Sequence, residues 1–402
     1  MPLRLVLAAE LEGHEDRVWQ VSWDPTGLRL ASCSGDKSVR IWTPLTQGRF
    51  FESSSTPADT QAQQNQQRTH DNDMSKAWEC VDTIDAAHKR TVRAVAFEPT
   101  RGRALATASF DGTTGIWEKE EGGDTYECIA TLEGHENETK SVSWSSSGQL
   151  LATCGRDRSV WIWESNGEGD FDCISVLMEH TNDVKMVAWH PTQDLLASFS
   201  YDDSIRLWRE DDDDWYSAAT LTGHSSTVWA GAFSPDGRFL ASVSDDRTVR
   251  LWAADASGAA AAGMRDGFYY KPDSAYQCVA TVPDTVHSRA IYSVAWTKPT
   301  ASLRGKTMEI ADASSLGSDE EENKQHHQEG FLATGCGDNA LRVFSVTTGN
   351  EGVAVVLECT RNQAHALTDI NCVQWNPVYP HWLASAGDDG VVRIWRLESF
   401  SD

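Results

Sequence analysis

One pattern recurs seven times along the chain and constrains its fold more than any other feature: histidine, an alternating apolar stretch, Leu-Ala-Ser/Thr, aspartate, then tryptophan or phenylalanine. The end of the unit is strictly spaced. Asp36, Asp111, Asp157, Asp202, Asp246, Asp338 and Asp389 stand six residues before Trp42, Trp117, Trp163, Trp208, Trp252, Phe344 and Trp395. A hydroxyl stands four residues before each aspartate: Ser32, Thr107, Thr153, Ser198, Ser242, Thr334 and Ser385. His14, His88, His135, His180, His224, His287 and His365 precede their aromatic residue by 28, 29, 28, 28, 28, 57 and 30 residues, so only the sixth unit carries a long insert between them.

Within a unit, Val18 to Trp23, Leu28 to Ser32 and Ser38 to Trp42 alternate as strands do, and turn signals such as Asp24-Pro25-Thr26-Gly27 and Ser234-Pro235-Asp236-Gly237 separate them. A fourth strand precedes each histidine, as in Tyr126 to Leu132. Seven four-stranded units of this kind resemble the WD40 β-propeller family, whose Gly-His signature stands here as Gly13-His14, Gly134-His135 and Gly223-His224, beside the tryptophan series. The residue after each tryptophan is never aspartate, a departure from the family's Trp-Asp pair. The expected fold is an all-β, seven-bladed propeller spanning residues 1–402. Leu3 to Leu11 should close the seventh blade and remove the edge an open array would leave.

Each repeat contains Asp, His and Ser/Thr, the cast of a serine hydrolase, but a catalytic triad would occur once rather than seven times. No catalytic residue is assigned. The resemblance implies a structural relay instead, in which Asp36, His14, Ser32 and Trp42, or Asp157, His135, Thr153 and Trp163, satisfy one another's hydrogen bonds. Phe344 has no indole N–H and Val286 replaces the glycine before His287, so the sixth blade should hold the weakest relay and Asp338 should matter less than Asp157.

Nine cysteines without a CxxC pair fit neither a disulfide framework nor a zinc module and point to a reducing compartment. Cys80, Cys128, Cys173 and Cys278, each in the strand before a histidine, read as small apolar strand residues on separate blades. His326-His327 reads as solvated loop. No metal or other cofactor is expected. Low-complexity inserts at about 47–76, 253–274 and 299–329 have too little apolar surface to offset ordering entropy.

With a formal charge of −26, broad binding to nucleic-acid phosphates is disfavoured, and 40% hydrophobic content with no long apolar run disfavours a membrane span. Positions that agree among repeats hold the fold, so partner recognition belongs where they differ. Two such positions open onto the top face in WD40 propellers. The residue before the turn aspartate contributes Phe110, Arg156 and Tyr201, and the residue five past the histidine contributes Trp19, Arg93, Lys140, Lys185, Trp229 and Tyr292. A cationic sector (Arg93, Lys140, Arg156, Lys185) thus adjoins an aromatic one, as interface anchors do. The competing account is cations that merely offset an acidic surface.

Residues 126 to 229, with Glu133-Gly134-His135-Glu136-Asn137-Glu138, Ala152 to Glu164, Glu179 to Lys185, Ser200 to Trp208 and Asp211 to Trp215, closely resemble the WD40 component of the cytosolic iron-sulfur protein assembly machinery. The resemblance implies a non-catalytic adaptor in a late-acting targeting complex, cytoplasmic and also nuclear. Its implied partners are a small subunit with a reactive cysteine, a large helical-repeat subunit, and client apoproteins, some carrying an acidic-aromatic C-terminal tail. A ubiquitin-ligase substrate receptor or a histone-tail reader would use the same top face.

Overall fold

The computed structural model describes residues 2–45, 77–167, 169–211, 214–254, 276–299, 327–350 and 352–400. Twenty-eight strands form seven four-stranded antiparallel sheets. Blade one comprises β2 (Val18–Trp23), β3 (Leu30–Ser34), β4 (Val39–Pro44) and β5 (Trp78–Ile84). Blade two comprises β6 (Val92–Phe97), β7 (Ala104–Ser109), β8 (Thr114–Lys119) and β9 (Tyr126–Leu132). Blade three is β10 (Thr139–Trp144), β11 (Leu150–Gly155), β12 (Val160–Ser165) and β13 (Phe171–Leu177); blade four is β14 (Val184–Trp189), β15 (Leu195–Ser200), β16 (Ser204–Glu210) and β17 (Trp215–Thr222). Blade five is β18 (Val228–Phe233), β19 (Phe239–Ser244), β20 (Val249–Ala253) and β21 (Gln277–Val282); blade six is β22 (Ile291–Thr297), β23 (His327–Cys336), β24 (Leu341–Gly349) and β25 (Gly352–Arg361). The seventh blade joins β26 (Ile370–Trp375), β27 (Trp382–Gly387) and β28 (Val392–Ser399) to β1 (Leu3–Leu11).

Each blade is a meander because turn residues punctuate alternating strands. At the β2–β3 turn Gly27 adopts φ +70°, and the Asp24 carboxylate accepts from the amides of Leu28 and Arg29, both at 2.9 Å. Both faces of the middle strands are covered by neighbouring blades, which is why β15, β19 and β27 are buried throughout. The apolar clusters span consecutive blades: Ala152, Val160 and Ile162 of blade three pack with Val184, Trp189 and Trp208 of blade four. Indole N–H groups tie blades together, Trp144 donating to Ala96 O (3.2 Å) and Trp189 to Ser143 O (3.0 Å).

The ring closes through β1, which runs antiparallel to β28 from Leu3 opposite Ser399 to Leu11 opposite Val392. Leu3, Leu5, Ala9 and Leu11 are buried, and Trp23 on β2 donates to Gln374 O on β26 at 3.2 Å across the seam. Two insert limits read from sequence need correction. Ala253 ends β20 instead of opening an insert, and β23 begins at His327, so 327–329 are strand. Glu329 there is buried and accepts from Thr348 Oγ1 at 2.6 Å; a burial partner from another strand is not visible in a local window. Ala254 and Pro299 are described and lie outside strands; residues 47–76, 255–274 and 300–326, His326 among them, lie outside the described residues.

Candidate functional site

The relay groups meet in six blades. In blade one His14 Nδ1 lies 2.8 Å from Asp36 Oδ2 and Nε2 lies 2.8 Å from Ser32 Oγ, which accepts from Trp42 Nε1–H at 2.8 Å. In blade three the same contacts are 2.7 Å (His135–Asp157), 2.9 Å (His135–Thr153) and 3.0 Å (Trp163–Thr153). One tautomer satisfies the whole chain: Nδ1–H donates to the carboxylate, Nε2 accepts from the hydroxyl, and the hydroxyl oxygen accepts from the indole. Burial opposes ionisation of Asp36 and Asp157, but the histidine and Ser38 or Ser159 hold both carboxyls below the ordinary range.

Blade six is wired differently. Arg342 donates to both oxygens of Asp338, at 3.0 and 2.8 Å, while His287 Nε2 meets Thr334 (3.0 Å) and its buried Nδ1 has no partner among the described residues. The geometry argues for the opposite order from that expected, with Asp338 mattering more than Asp157, because Asp338 neutralises a buried guanidinium. The signal was present in the sequence. In blades one and five glycine precedes the histidine, and a Cβ at Gly13 or Gly223 would come within 2.9 or 3.0 Å of Arg40 or Arg250 Nη1, which lie over it. Val286 and Ala364 occupy that position in blades six and seven, and Arg342 and Arg393 turn onto Asp338 and Asp389 instead.

Burial, with Arg342 nearby, pushes the His287 imidazole down to about 3. An unfolded histidine titrates near ~6.5, so between those values the unfolded chain binds the additional proton and stability falls as pH falls. The stability gap between the native chain and His287→Gln is expected to shrink as pH is lowered from about 7.5 to about 5 in chemical denaturation. A gap constant over that range would contradict a buried neutral His287.

The recognition positions are set by a repeated defect. Every innermost strand carries a β-bulge after its first residue, and the displaced residue is Trp19, Arg93, Lys140, Lys185, Trp229, Tyr292 or Asn371. A bulge re-aims a side chain without moving the strand, so the seven form one ring. Within it Arg93 stacks on Trp19 (4.7 Å to the ring centroid), Lys185 lies over Tyr201 (4.8 Å) and Trp229 (5.0 Å), and Trp229 meets Tyr292 edge to face at 5.2 Å. The indole N–H groups of Trp19 and Trp229 are buried and have no acceptor among the described residues.

The four cations are not equivalent. Asp183 engages both Lys140 and, at 3.5 Å, Lys185, so these two ammonium groups already share a carboxylate. Desolvation, with Lys140 beside it and against the pull of Asp183, lowers Lys185 to about 8. Arg156 is 56% exposed in its side chain and touches Glu138 at 3.5 Å. Arg93 has no carboxylate partner among the described residues. Lys140, Arg156 and Tyr201 line an open depression of about 270 Å³ together with Glu138, Asn182 and Asp183. Phe110 stands apart from the aromatic sector, under Arg90 (5.9 Å), whose Nη1 also donates to its carbonyl at 2.6 Å. Asp183 and Glu138 escaped the sequence reading because neither occupies the two positions compared among repeats.

Cys80, Cys128, Cys173 and Cys278 are exposed, correcting the expectation of small buried residues. They lie on outermost strands whose wall faces solvent, and Cys80 Sγ–H finds Asp82 O at 3.2 Å. His327 is exposed, with Nδ1 3.2 Å from Glu329. Among the described residues no group of His, Cys, Asp and Glu could hold a metal, and no helix is long and apolar enough to cross a membrane.

Comparison with known proteins matches "WD domain, G-beta repeat" at residues 6–43, 78–118, 126–164, 171–209, 215–253 and 357–396. Similar full-length proteins include "Protein CIA1" of Arabidopsis thaliana, 43% identical over 98% of this chain and 97% of that one. "Probable cytosolic iron-sulfur protein assembly protein 1" of Mycosarcoma maydis is 39% identical, covering 98% and 93%, and the protein of that name in Candida glabrata is 37% identical, covering 99% and 100%.

Proposed function

Because the chain belongs to the WD40-repeat family and, within it, to the cytosolic iron-sulfur protein assembly protein 1 family, with a role in cytosolic iron-sulfur protein assembly, we propose that it is a non-catalytic adaptor. It joins a small reactive-cysteine subunit and a large helical-repeat subunit in a targeting complex, in the cytosol and the nucleus, and its top face captures client apoproteins. The observation that carries this reading is the bulge ring, where Arg93, without a carboxylate partner among the described residues, stacks on Trp19 while Trp229 and Tyr292 form an aromatic wall opposite.

An extended C-terminal tail ending in an acidic and an aromatic residue matches that chemistry. Lys140 and Lys185 are bridged by Asp183, so exposed Arg156 and the desolvated Arg93, which has no carboxylate partner among the described residues, are the guanidiniums left for the tail's carboxylates, with the aromatic side chain against Trp229 and Tyr292. A cationic histone tail would instead meet Arg93, Lys140, Arg156 and Lys185, which disfavours that alternative. A fluorescent peptide ending in Asp-Trp is expected to bind more weakly as salt rises and to lose about 1.5–3 kcal/mol on C-terminal amidation or on Arg156→Glu, with thermal stability nearly unchanged. Affinity indifferent to salt, amidation, Arg93→Glu and Arg156→Glu would place client capture elsewhere.

A further inference from the structure

Each blade ends in an outer strand with a free edge, and polar or charged residues normally keep such an edge from pairing. The cleft between the outer walls of blades two and three departs from that pattern. Four residues after the turn aspartate, five blades place arginine (Arg40, Arg206, Arg250, Arg342, Arg393) and blade two places Gly115; blade three alone places a tryptophan, Trp161. Trp161 stacks on Trp163 at 5.5 Å and lies over Gly134, where any side chain would collide with its ring.

On the edge strand β13, Val176 pairs opposite Trp161 and so faces blade two, and Met178 lies just past the strand's end at Leu177. Ser175 turns to the other side, where its hydroxyl donates to Asp214 of blade four at 3.1 Å. Ile129 reaches across from β9, its δ-methyl 3.6 Å from where a Cβ would stand at Gly169. These apolar groups are open: Ile129 is 41% exposed, Val176 42% and Met178 71%. The lower end of the cleft is acidic. Glu118, which Arg103 engages at 3.4 Å, stands directly opposite Glu127 across β8 and β9, and Glu127 has no cation partner among the described residues.

We propose that the free edge of β13 accepts an extended segment of a partner protein as a fifth strand of blade three, independently of the top face. The segment alternates apolar and polar residues, so that one side covers Ile129, Val176 and Met178, and carries Lys or Arg where it passes Glu127. The charge selects this occupant over a second copy of the chain, which would bring another Glu118–Glu127 pair and another −26 of net charge to an acidic cleft.

The test pans a displayed random-peptide library against the full chain and against Val176→Lys/Met178→Lys, with Ile129→Glu on the other wall as a second variant. Melting temperature and tail-peptide binding at the top face report that each variant is folded. Sequences retained by the native chain are expected to alternate Val, Ile or Leu with polar residues and to carry a basic end. A synthetic copy should slow amide exchange in β13 and bind about tenfold more weakly, or worse, to either variant. Retention unaffected by the variants, retained sequences without alternation or with acidic ends, or a concentration-dependent dimer that the variants abolish would each overturn the proposal.

Discussion

Deletion of residues 1–11 is expected to leave no soluble monomeric protein, although the strand lost belongs to none of the first six blades. Without β1, the outer edge of β28 loses its pairing from Val392 to Ser399, and Trp395 and Leu397 lose the cover of Leu5 and Leu3. The result is a long apolar edge, the surface most prone to intermolecular pairing. The loss should also be reversible by topology. Leu3 lies opposite Ser399, and the Phe400 amide donates to Pro2 O at 3.1 Å, so the end of β28 already sits beside the start of β1. Moving residues 2–11 behind Phe400 through a short turn converts the seam into an ordinary hairpin and should restore a soluble monomer. Size-exclusion chromatography checks both proteins. A monomeric, folded deletion would show that closure does not depend on β1, and a permutant that stays insoluble would show that this segment has another duty.

How much of this could be read from sequence follows from what is periodic. The strands, the seven blades and the use of Leu3 to Leu11 as the closing strand depend on alternation and on spacing repeated sevenfold, so local signals reinforce one another. The bulge ring was legible as a set of positions, because five residues past the histidine is the same place in six blades. Its electrostatics were not, since Asp183 reaches Lys140 from the neighbouring blade, a contact between residues 43 apart. The exposure of Cys80, Cys128, Cys173 and Cys278 was hidden for a related reason: a free cysteine is usually buried, but an outermost strand keeps one face against the blade and turns the rest to solvent. Val286 was visible as a break in the Gly-His signature, yet its consequence needs three dimensions: Arg342 turns onto Asp338, whereas Arg40 and Arg250 lie across glycine in blades one and five and Arg206 pairs with Glu179 at that position in blade four.

The Arg342–Asp338 and Arg393–Asp389 pairs are expected to make these two the costliest of the seven turn aspartates to remove. In Asp157→Ala the group left behind is His135, which loses one hydrogen-bond partner, and the expected loss is about 1–3 kcal/mol. In Asp338→Ala the group left behind is the Arg342 guanidinium, which keeps only a tenth of its side chain exposed. Removing one partner of a buried ion pair costs about 3–5 kcal/mol. The carboxyl of Asp338 agrees with this accounting: burial would raise it, yet the bonds from Arg342 and from the Ser288 amide hold it down to about 2. Its contribution is thus complete above ~3.9, the unfolded value, and is lost as pH falls towards about 2. Replacing the whole pair by apolar groups removes the stranded charge, so Asp338→Ala/Arg342→Leu should recover most of the loss. Urea denaturation of the three variants at neutral pH decides the matter. If Asp338→Ala proves milder than Asp157→Ala, or the double variant recovers nothing, the ion pair is not what holds the sixth blade together.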